Sequence, residues 1–454
     1  MYKLKLDQSR KLIIASAFSQ IFTVLATPLL VRYAPKEEFG FFGIFFSVVV
    51  MYSIVGSFRM ELGFLERKKE KNSQNLYAVL FTISLFTALI FSLIFYLLYN
   101  DIFFTLLILI GCIVSINSLQ LTFWTISEKN IGNIINFRIS KVVLILFFQF
   151  IFIFLDQNKG LIIGHILGLT ISLLVFFRSK FKFLKFANIN SINSHIKQYK
   201  KFVYLTTPSD LMNVFGTQLP TFLFGRLYGL DFSAYYYYTQ RIALSPFSIL
   251  SESLSKIYMR SYSLGKNLNV IISKIITFQI KSFVGLYGAI ILLNEFIVNF
   301  LFGNGWEEME FFLLSAFLWV FSVFVSAPIL SLLLISKNQE VDLKFQFTLL
   351  FTRLLAIAGG YYLDSYKLMF ILFVLSSAWP YLWYMNKTII LLKFRFKLDL
   401  NKFYDVFFYI LIFLLLYVSK SSINNELYLI ISIFLTLITA IVLLKEFLKL
   451  EFED

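Results

Sequence analysis

The sequence predicts an all-α polytopic membrane protein with about fourteen transmembrane helices. Hydrophobic residues make up 59% of its 454 residues and aromatic residues 19%, whereas an ordinary soluble domain is about 45–50% apolar. The apolar residues fall in uninterrupted blocks of about 17–25 residues, which is the length that a helix needs to cross a bilayer. The basic residues, in addition, concentrate in alternate connecting segments, as they do in multi-pass membrane proteins.

Fourteen apolar blocks are found along the chain. The first contains Gln20 and Pro28 and is about 20 residues long, which exceeds the apolar core of a signal peptide, so we interpret it as a retained helix. Cys112 is the only cysteine, so the chain forms no intramolecular disulfide. The blocks cover residues 12–31, 39–60, 76–98, 102–126, 139–155, 160–177, 202–225, 232–254, 277–302, 310–335, 345–363, 367–386, 405–419 and 426–444.

The distribution of positive charge along the chain indicates its orientation in the membrane. The formal net charge is +15, which in a soluble protein would indicate nucleic-acid binding. With the N-terminus placed in the cytoplasm, however, the inside segments hold 31 of the 41 basic residues and the outside loops hold 6. This asymmetry follows the positive-inside rule. We therefore predict cytoplasmic termini and no nucleic-acid partner.

An internal repeat divides the chain into two halves. A shift of 194 places lays SAFSQIFTVLATPLLVRYAP on DLMNVFGTQLPTFLFGRLYG, with five identical positions. Each segment begins a set of six blocks, so the repeat predicts two six-helix lobes. The predicted organisation is an N-terminal lobe at 1–177, a basic cytoplasmic linker at 178–201, a C-terminal lobe at 202–386 and two accessory helices at 387–454.

The first helix of each lobe carries a stripe of polar residues. Because lipid offers hydroxyl and amide groups no partner, each stripe must face protein or water. Two interpretations stay open, interhelical hydrogen bonding and the wall of a water-filled cavity. On the second interpretation, four residues of the stripes are candidate substrate contacts: Gln20, Thr23, Asn213 and Thr217.

Six of the seven prolines lie inside apolar blocks. A proline removes a helix hydrogen bond and favours a kink. Interrupted helices at matching positions of two repeats indicate the moving elements of a transporter, although transmembrane helices also tolerate proline without any such role. The candidate gating kinks are Pro28, Pro220 and Pro246.

Charged residues inside the blocks are candidate functional groups, because an unpaired charge near the bilayer centre costs on the order of 2.5–3.5 kcal/mol. Arg241 and Arg353 are predicted to line a cavity, with a structural ion pair between Arg241 and Asp210 as the alternative. Lys281 is either a substrate contact or a side chain that reaches the headgroups. Glu252 follows Arg241 along a polar track towards the cytoplasmic end.

Arg59 and Glu61 close the second block in the sequence FRMELGF. On a continuous helix they are separated by about 200°, so we expect them not to pair with each other. Arg59 then lies beside Gly56 and Gly63 as a candidate phosphate contact, and Glu61 binds a neighbouring helix. Snorkelling of both side chains at a helix end is the alternative.

Several kinds of chemistry are excluded by the motifs that the sequence lacks. It contains no GxxxxGK[ST] phosphate loop, no HExxH and no cluster of Cys and His residues, so we predict no ATP hydrolysis and no bound metal. The predicted outside loops are short, which leaves no room for an external catalytic domain. The sequence therefore predicts a transporter without a resident cofactor.

Four stretches together resemble the polysaccharide-export flippases of the Wzx type. These flippases belong to the superfamily that also contains the multidrug and toxin extrusion transporters and the lipid II flippase. The triplet Arg59-Met60-Glu61 is similar to the Arg-aromatic-Glu pattern of the family, with methionine in place of the aromatic residue. The stretches are LATPLLVRYAPKEEFGFFGIFFSVV, FRMELGF, YYYYTQRIALSPFSILSESLSKIYMR and LFGNGWEEMEFFLLSAF.

The resemblance implies a function and a location. Two lobes would face a central cavity in a bacterial cytoplasmic (inner) membrane and move a polyprenyl-diphosphate-linked oligosaccharide, such as an O-antigen or capsule repeat unit, to the outer leaflet by alternating access. A glycan polymerase and a chain-length regulator are the implied protein partners.

Guanidinium groups suit a diphosphate, so Arg59, Arg241 and Arg353 are the expected contacts. Glu61, Asp210 and Glu252 are expected to pair with the arginines or to take up a coupling cation, with H+ and Na+ both open. A multidrug/cation antiporter of the same fold is the first alternative. A membrane glycan polymerase or ligase is the second alternative.

Overall fold

The computed structural model of the protein describes residues 29–66, 70–155, 159–263, 268–336, 338–394, 404–420 and 424–452, together with residues 19, 22, 23 and 26. These residues form helices joined by short turns, and no strand occurs among them. The predicted all-α class is therefore confirmed. Thirteen of the predicted blocks, from the second to the last, coincide with helices.

We number the long helices in chain order. The structure describes α1 at residues 29–33. The uninterrupted helices are α2 (Lys36–Val55), α3 (Glu70–Tyr99), α4 (Ile102–Ser127), α5 (Ile131–Phe154), α6 (Gly160–Phe181), α11 (Gln339–Tyr362), α12 (Tyr366–Leu391), α13 (Tyr404–Ser419) and α14 (Asn425–Phe452).

The remaining long helices are built from consecutive segments. They are α7 (Phe202–Thr206 and Thr207–Tyr228), α8 (Leu230–Thr239, Gln240–Leu244 and Ser245–Ser263), α9 (Leu268–Leu292 and Asn294–Leu301) and α10 (Glu308–Ser315, Phe317–Leu330 and Leu332–Ile335). Many helices begin before their apolar blocks, because hydropathy detects only the part of a helix that is apolar. α5, for example, begins at Ile131, whereas its block begins at residue 139.

The chain is a multi-pass membrane protein. Among the described residues, nine helices are long and apolar enough to cross a membrane. Large apolar side chains are exposed along these helices, including Leu97, Val175 and Phe434, which suits contact with lipid rather than water. The predicted total of about fourteen spans stays a prediction.

Two compact units divide the chain, residues 1–234 and 235–454. In the first unit α2 packs against α4 and α7, and α5 packs against α6. The predicted linker contains a short helix, Ile189–Gln198, and its Ile192 and Ile196 pack on the core of this unit. The contacts group α7 with the first unit, whereas the sequence analysis placed it in the C-terminal lobe. The predicted lobe boundaries therefore stay a prediction.

The second unit contains an aromatic core. Tyr236 stacks on Trp319 at 5.9 Å between ring centroids, and Phe373 meets both rings edge-on. The accessory helices α13 and α14 pack on α9. Lys420 Nζ lies 2.5 Å from Glu295 Oε2, and the hydroxyl of Tyr428 donates to the Leu292 carbonyl at 3.1 Å. An ion pair and a hydrogen bond therefore join these helices to the unit.

Two glycines bring α6 against the backbone of α5. A Cβ at Gly168 would lie 2.4 Å from the Ile145 Cα, and a Cβ at Gly164 would lie 2.5 Å from the Gln149 backbone nitrogen. Small residues four positions apart allow such close approach between membrane helices. The side-chain amide of Gln149 then donates to the Leu161 carbonyl at 3.0 Å.

We expect Gly168→Ala to destabilise the first unit. The added methyl group overlaps backbone, which cannot move aside like a flexible side chain, so a loss of about 1–3 kcal/mol is expected. The melting temperature of the detergent-solubilised protein measures the change. Gly132→Ala is the matched control, because a Cβ at Gly132 meets nothing within 4 Å. Equal melting temperatures for the two variants would contradict this account of the α5–α6 packing.

Candidate functional site

A left-handed turn follows α2. The helix ends at Val55, and Phe58 and Arg59 have φ values of 50° and 57°. Such backbone costs on the order of 1–3 kcal/mol for each non-glycine residue, so the surrounding contacts must hold it. A 3-10 helix begins at Met60. The prediction that Arg59 and Glu61 diverge on one continuous helix is therefore wrong, because the helix has ended before them.

Arg59 bridges two carboxylates. Its Nη1 donates to Glu61 Oε1 at 3.3 Å, and its Nε lies 2.5 Å from Asp210 Oδ2 of α7. The Ser57 hydroxyl donates to the other oxygen of Glu61. The exposed fraction of the side chain is 23% for Arg59, 32% for Asp210 and 0% for Glu61. The predicted pair between Asp210 and Arg241 is replaced by this cluster.

Burial governs the titration of Glu61. It raises the pKa of this carboxyl above the ordinary value, and the hydrogen bond from Ser57 and the charge of Arg59 offset the rise only in part. Met60 is fully buried beside it. Glu61 is thus a carboxyl group that binds a proton more readily than an exposed glutamate.

Tyrosine rings occupy the space beside Gly56 and Gly63. A Cβ at Gly56 would lie 2.7 Å from the Tyr52 ring, and a Cβ at Gly63 would lie 2.7 Å from the Tyr199 ring. The hydroxyl of Tyr52 donates to the Ser84 carbonyl at 2.5 Å, which fixes that ring. The two glycines therefore admit aromatic side chains, whereas the sequence suggested open space beside the guanidinium.

Arg241 lies in a π-helical turn of the second unit, Gln240–Leu244. Its guanidinium carbon is 5.0 Å from the centroid of the Tyr237 ring, and its side chain is half-buried. In the part of the chain that the structure describes, no carboxylate pairs with Arg241. A half-buried guanidinium with an aromatic neighbour is available for an anionic ligand.

Arg353 is enclosed in the second unit. Its side chain is 1% exposed, and its Nε donates to the Ser377 hydroxyl at 2.8 Å. The guanidinium carbon lies 5.1 Å from the Phe373 ring centroid and 5.9 Å from that of Trp319. A ligand reaches Arg353 only if the helices around it rearrange.

Other predicted site residues have local partners. Lys281 Nζ lies 3.5 Å from Glu446 Oε1 of α14, and Glu252 pairs with Lys256 on the surface at 2.8 Å. Thr217 donates to the Asn213 carbonyl at 3.2 Å, and Asn213 is exposed. Thr23 donates to the Ser19 carbonyl at 2.7 Å. Gln20 and Pro28 lie outside the described residues.

A π-helical turn precedes a proline in both α7 and α8. The turn at Phe202–Thr206 is followed by Thr207 and Pro208, and the turn at Gln240–Leu244 is followed by Ser245 and Pro246. A proline clashes with the carbonyl four residues before it, and a wider turn relieves that clash. Pro220, in contrast, lies inside the uninterrupted segment Thr207–Tyr228.

The sequence analysis missed a cavity in the first unit. The cavity measures about 300 Å³ and lies between α2, α4 and α5. Arg138 and Lys141 of α5 line it. The hydropathy block begins at residue 139 and leaves Arg138 outside it, although the helix begins at Ile131. The three-residue spacing of these cations was the signal that could have revealed them.

Comparisons with known proteins give a family and a fold. The family described as "Polysaccharide biosynthesis protein" matches residues 29–311. Among curated proteins, none matches the chain. A structure of the lipid II flippase MurJ in an inward closed conformation is similar, with a TM-score of 0.71 and 14% identity over 96% of this chain and 98% of that one.

Two structures of multidrug resistance MATE family transporters of the MOP superfamily are also similar. An inward-facing structure has a TM-score of 0.55 and 13% identity over 82% of this chain and 96% of that one. An outward-facing structure has a TM-score of 0.54 and 10% identity over 86% of this chain and 95% of that one. At such low sequence identities, the similarity to these structures shows a common fold and nothing more.

We expect Glu61→Gln to flatten the pH dependence of stability. The pKa of Glu61 is raised in the folded protein and is about 4.3 in an unfolded chain. The contribution of Glu61 to stability is therefore greatest below about pH 4.3 and falls as the pH rises through the folded pKa. The neutral glutamine has no such dependence.

Melting temperatures of both proteins between about pH 4 and pH 8 measure this difference. The melting temperature of the variant relative to the parent should increase with pH. The exposed Glu252 provides the control variant Glu252→Gln. If the difference between Glu61→Gln and the parent were the same at every pH, Glu61 would not titrate abnormally.

Proposed function

The chain belongs to the polysaccharide biosynthesis protein family, since the family matches residues 29–311, and we propose that it is a flippase for lipid-linked oligosaccharides. The substrate is an oligosaccharide carried on a polyprenyl diphosphate, such as an O-antigen or capsule repeat unit. The protein moves it from the cytoplasmic to the outer leaflet of a bacterial cytoplasmic membrane by alternating access. Both termini lie in the cytoplasm in this proposal.

The observation that carries the proposal is the setting of Arg241. Arg241 lies on a half-buried turn, without a carboxylate partner in the described part of the chain. A diphosphate has about two negative charges and oxygens in the geometry that a guanidinium binds. Arg241 is therefore assigned as the diphosphate contact.

The enclosed Arg353 and the paired Lys281 stay candidate contacts for another conformation. Both are tied to neighbours in the conformation described, Arg353 to Ser377 and Lys281 to Glu446. A ligand can reach them only by displacing those neighbours. The glycan polymerase and the chain-length regulator stay proposed partners on the strength of the sequence resemblance.

A multidrug/cation antiporter is the second candidate function, which the similarity to two MATE transporters favours. A cation carrier needs carboxylates that are available to its substrate. Here Arg59 engages both Glu61 and Asp210, and Lys180 engages Glu128 at 2.7 Å. This pairing supports the flippase over the antiporter.

We expect Arg241→Gln to reduce translocation about tenfold to a hundredfold, because a hydrogen bond to a charged group contributes about 1.5–3 kcal/mol. The measurement uses proteoliposomes with a fluorescent polyprenyl-diphosphate oligosaccharide and a membrane-impermeant quencher. Arg241→Lys keeps the charge but not the bidentate geometry, so an intermediate rate is expected.

The control is Arg178→Gln, which removes the same charge from an exposed position. Unchanged translocation by Arg241→Gln would overturn the assignment of Arg241. A parent protein that moves no glycolipid but exchanges organic cations for protons would establish the antiporter.

A further inference from the structure

The segment between α6 and α7 carries an unbalanced positive charge. Residues 178–209 contain seven basic residues and no acidic one. The positive-inside rule accounts for a basic segment in general, but not for the apolar side chains that accompany its charges. Five of the basic residues are lysines with exposed side chains: Lys182, Lys185, Lys197, Lys200 and Lys201.

Two large apolar side chains are exposed among these lysines. Phe186 is 74% exposed and Ile189 is 75% exposed, although both lie in a connecting segment. Ile189, Ile192 and Ile196 share one face of the short helix Ile189–Gln198. Ile192 and Ile196 pack on the core of the first unit. Ile189 therefore extends this apolar face beyond the area that the core covers, where contact with water is unfavourable.

Contacts with α3 place the apolar residues at the edge of the membrane. The backbone N–H of Ala187 donates to the Thr82 hydroxyl at 2.9 Å, and the rings of Phe186 and Phe81 lie 6.1 Å apart. Thr82 is about 26 Å along α3 from its last residue, Tyr99. The hydrocarbon core of a bilayer is about 30 Å thick. Phe186 and Ala187 therefore lie close to its boundary.

The lysines lie next to the ends of the flanking helices. α6 is long and apolar enough to cross a membrane and ends at Phe181, directly before Lys182. Lys200 and Lys201 directly precede α7, and Tyr204 in the first turn of α7 is exposed. Tyrosine is favoured at the level of the lipid headgroups. Both ends of the segment thus lie at the membrane surface.

Anionic phospholipids match this combination of side chains. Lysine ammonium groups are attracted to negatively charged headgroups, and apolar side chains enter the boundary between headgroups and acyl chains. A soluble polyanion would neutralise the lysines but would leave Phe186 and Ile189 in water. A lipid provides a partner for both.

We propose that the segment between α6 and α7 binds anionic phospholipids of the leaflet at which α6 ends. In the proposed orientation this is the cytoplasmic leaflet. The inference does not depend on the proposed function, since neither the glycan nor Arg241 takes part in it. The binding surface, which we call the linker surface, consists of Lys182, Lys185, Phe186, Ile189, Lys197, Lys200 and Lys201.

The first test measures lipid affinity by native mass spectrometry of the full-length protein. The protein is titrated with phosphatidylglycerol, which is anionic, and with phosphatidylcholine, which has no net charge. The triple variant Lys185→Gln, Lys197→Gln, Lys200→Gln removes three charges from the linker surface. We expect it to bind phosphatidylglycerol at least about tenfold more weakly than the parent, with phosphatidylcholine binding unchanged.

The matched control is Lys344→Gln, Lys387→Gln, Lys393→Gln, which removes three exposed charges from the second unit. Its affinity for phosphatidylglycerol should equal that of the parent. An equal loss in both triple variants would overturn the proposal, because the total charge rather than the linker surface would then attract the lipid. Equal affinities of the parent and the linker variant would overturn it as well.

The polyprenyl-diphosphate glycolipid is the rival ligand, since it is also anionic. If the linker variant lost affinity for the glycolipid but not for phosphatidylglycerol, the linker surface would bind the transported substrate and the proposal would be wrong. The test of the flippase stays separate. A parent that translocates nothing, yet binds phosphatidylglycerol through these lysines, would refute the flippase and leave the linker surface.

A second measurement tests the apolar part of the linker surface with single substitutions at exposed positions. Cys112 is buried, so an environment-sensitive fluorophore can be attached selectively to Ile189→Cys. The control is Ser194→Cys, an exposed position about 140° around the helix from Ile189. In vesicles that contain phosphatidylglycerol, the label at position 189 should emit as in an apolar medium and the label at 194 as in water. Aqueous emission at both positions would overturn the proposal, even if the triple variant failed to fold.

Discussion

Hydrocarbon offers polar groups no partner, and this constraint governs where the charges of the protein lie. Glu61 is fully buried, yet it is held by Ser57 and Arg59. Arg353 is enclosed by a hydroxyl and two aromatic rings. Each contact replaces the hydration that burial removes. The pairing therefore separates charges that stabilise the bundle from those that stay open to a ligand, such as Arg241.

The sequence predicted the helical class because the apolar blocks are long and repeated. It failed at Arg59 and Glu61 because the geometry assumed a continuous helix, whereas the chain turns at Phe58 with a positive φ. A single sequence carries no strong signal for such a turn, since neither residue is glycine. The cavity between α2, α4 and α5 was missed for a different reason: hydropathy placed Arg138 outside a helix that begins seven residues before it.

The π-helical turns show how a membrane helix accommodates proline. Pro208 and Pro246 both follow a widened turn, which removes the clash with the preceding carbonyl. The prolines were visible in the sequence, but the widening was not, because a kink and a π-turn leave the same apolar pattern. Asp210 lies two residues after Pro208, and Arg241 lies within the other turn. In both helices a change of helical pitch thus accompanies a charge of the candidate site.

Fold and charge give different information about the substrate. The fold is shared by a lipid II flippase structure and by multidrug transporters, so it is compatible with anionic and cationic cargo alike. The charges support the proposed flippase, because Arg59 engages Glu61 and Asp210 and Lys180 engages Glu128, whereas Arg241 lies on a half-buried turn. That asymmetry supports the anionic substrate of the proposed function. The family description names polysaccharide biosynthesis, and this supports the proposed class of substrate, a lipid-linked glycan.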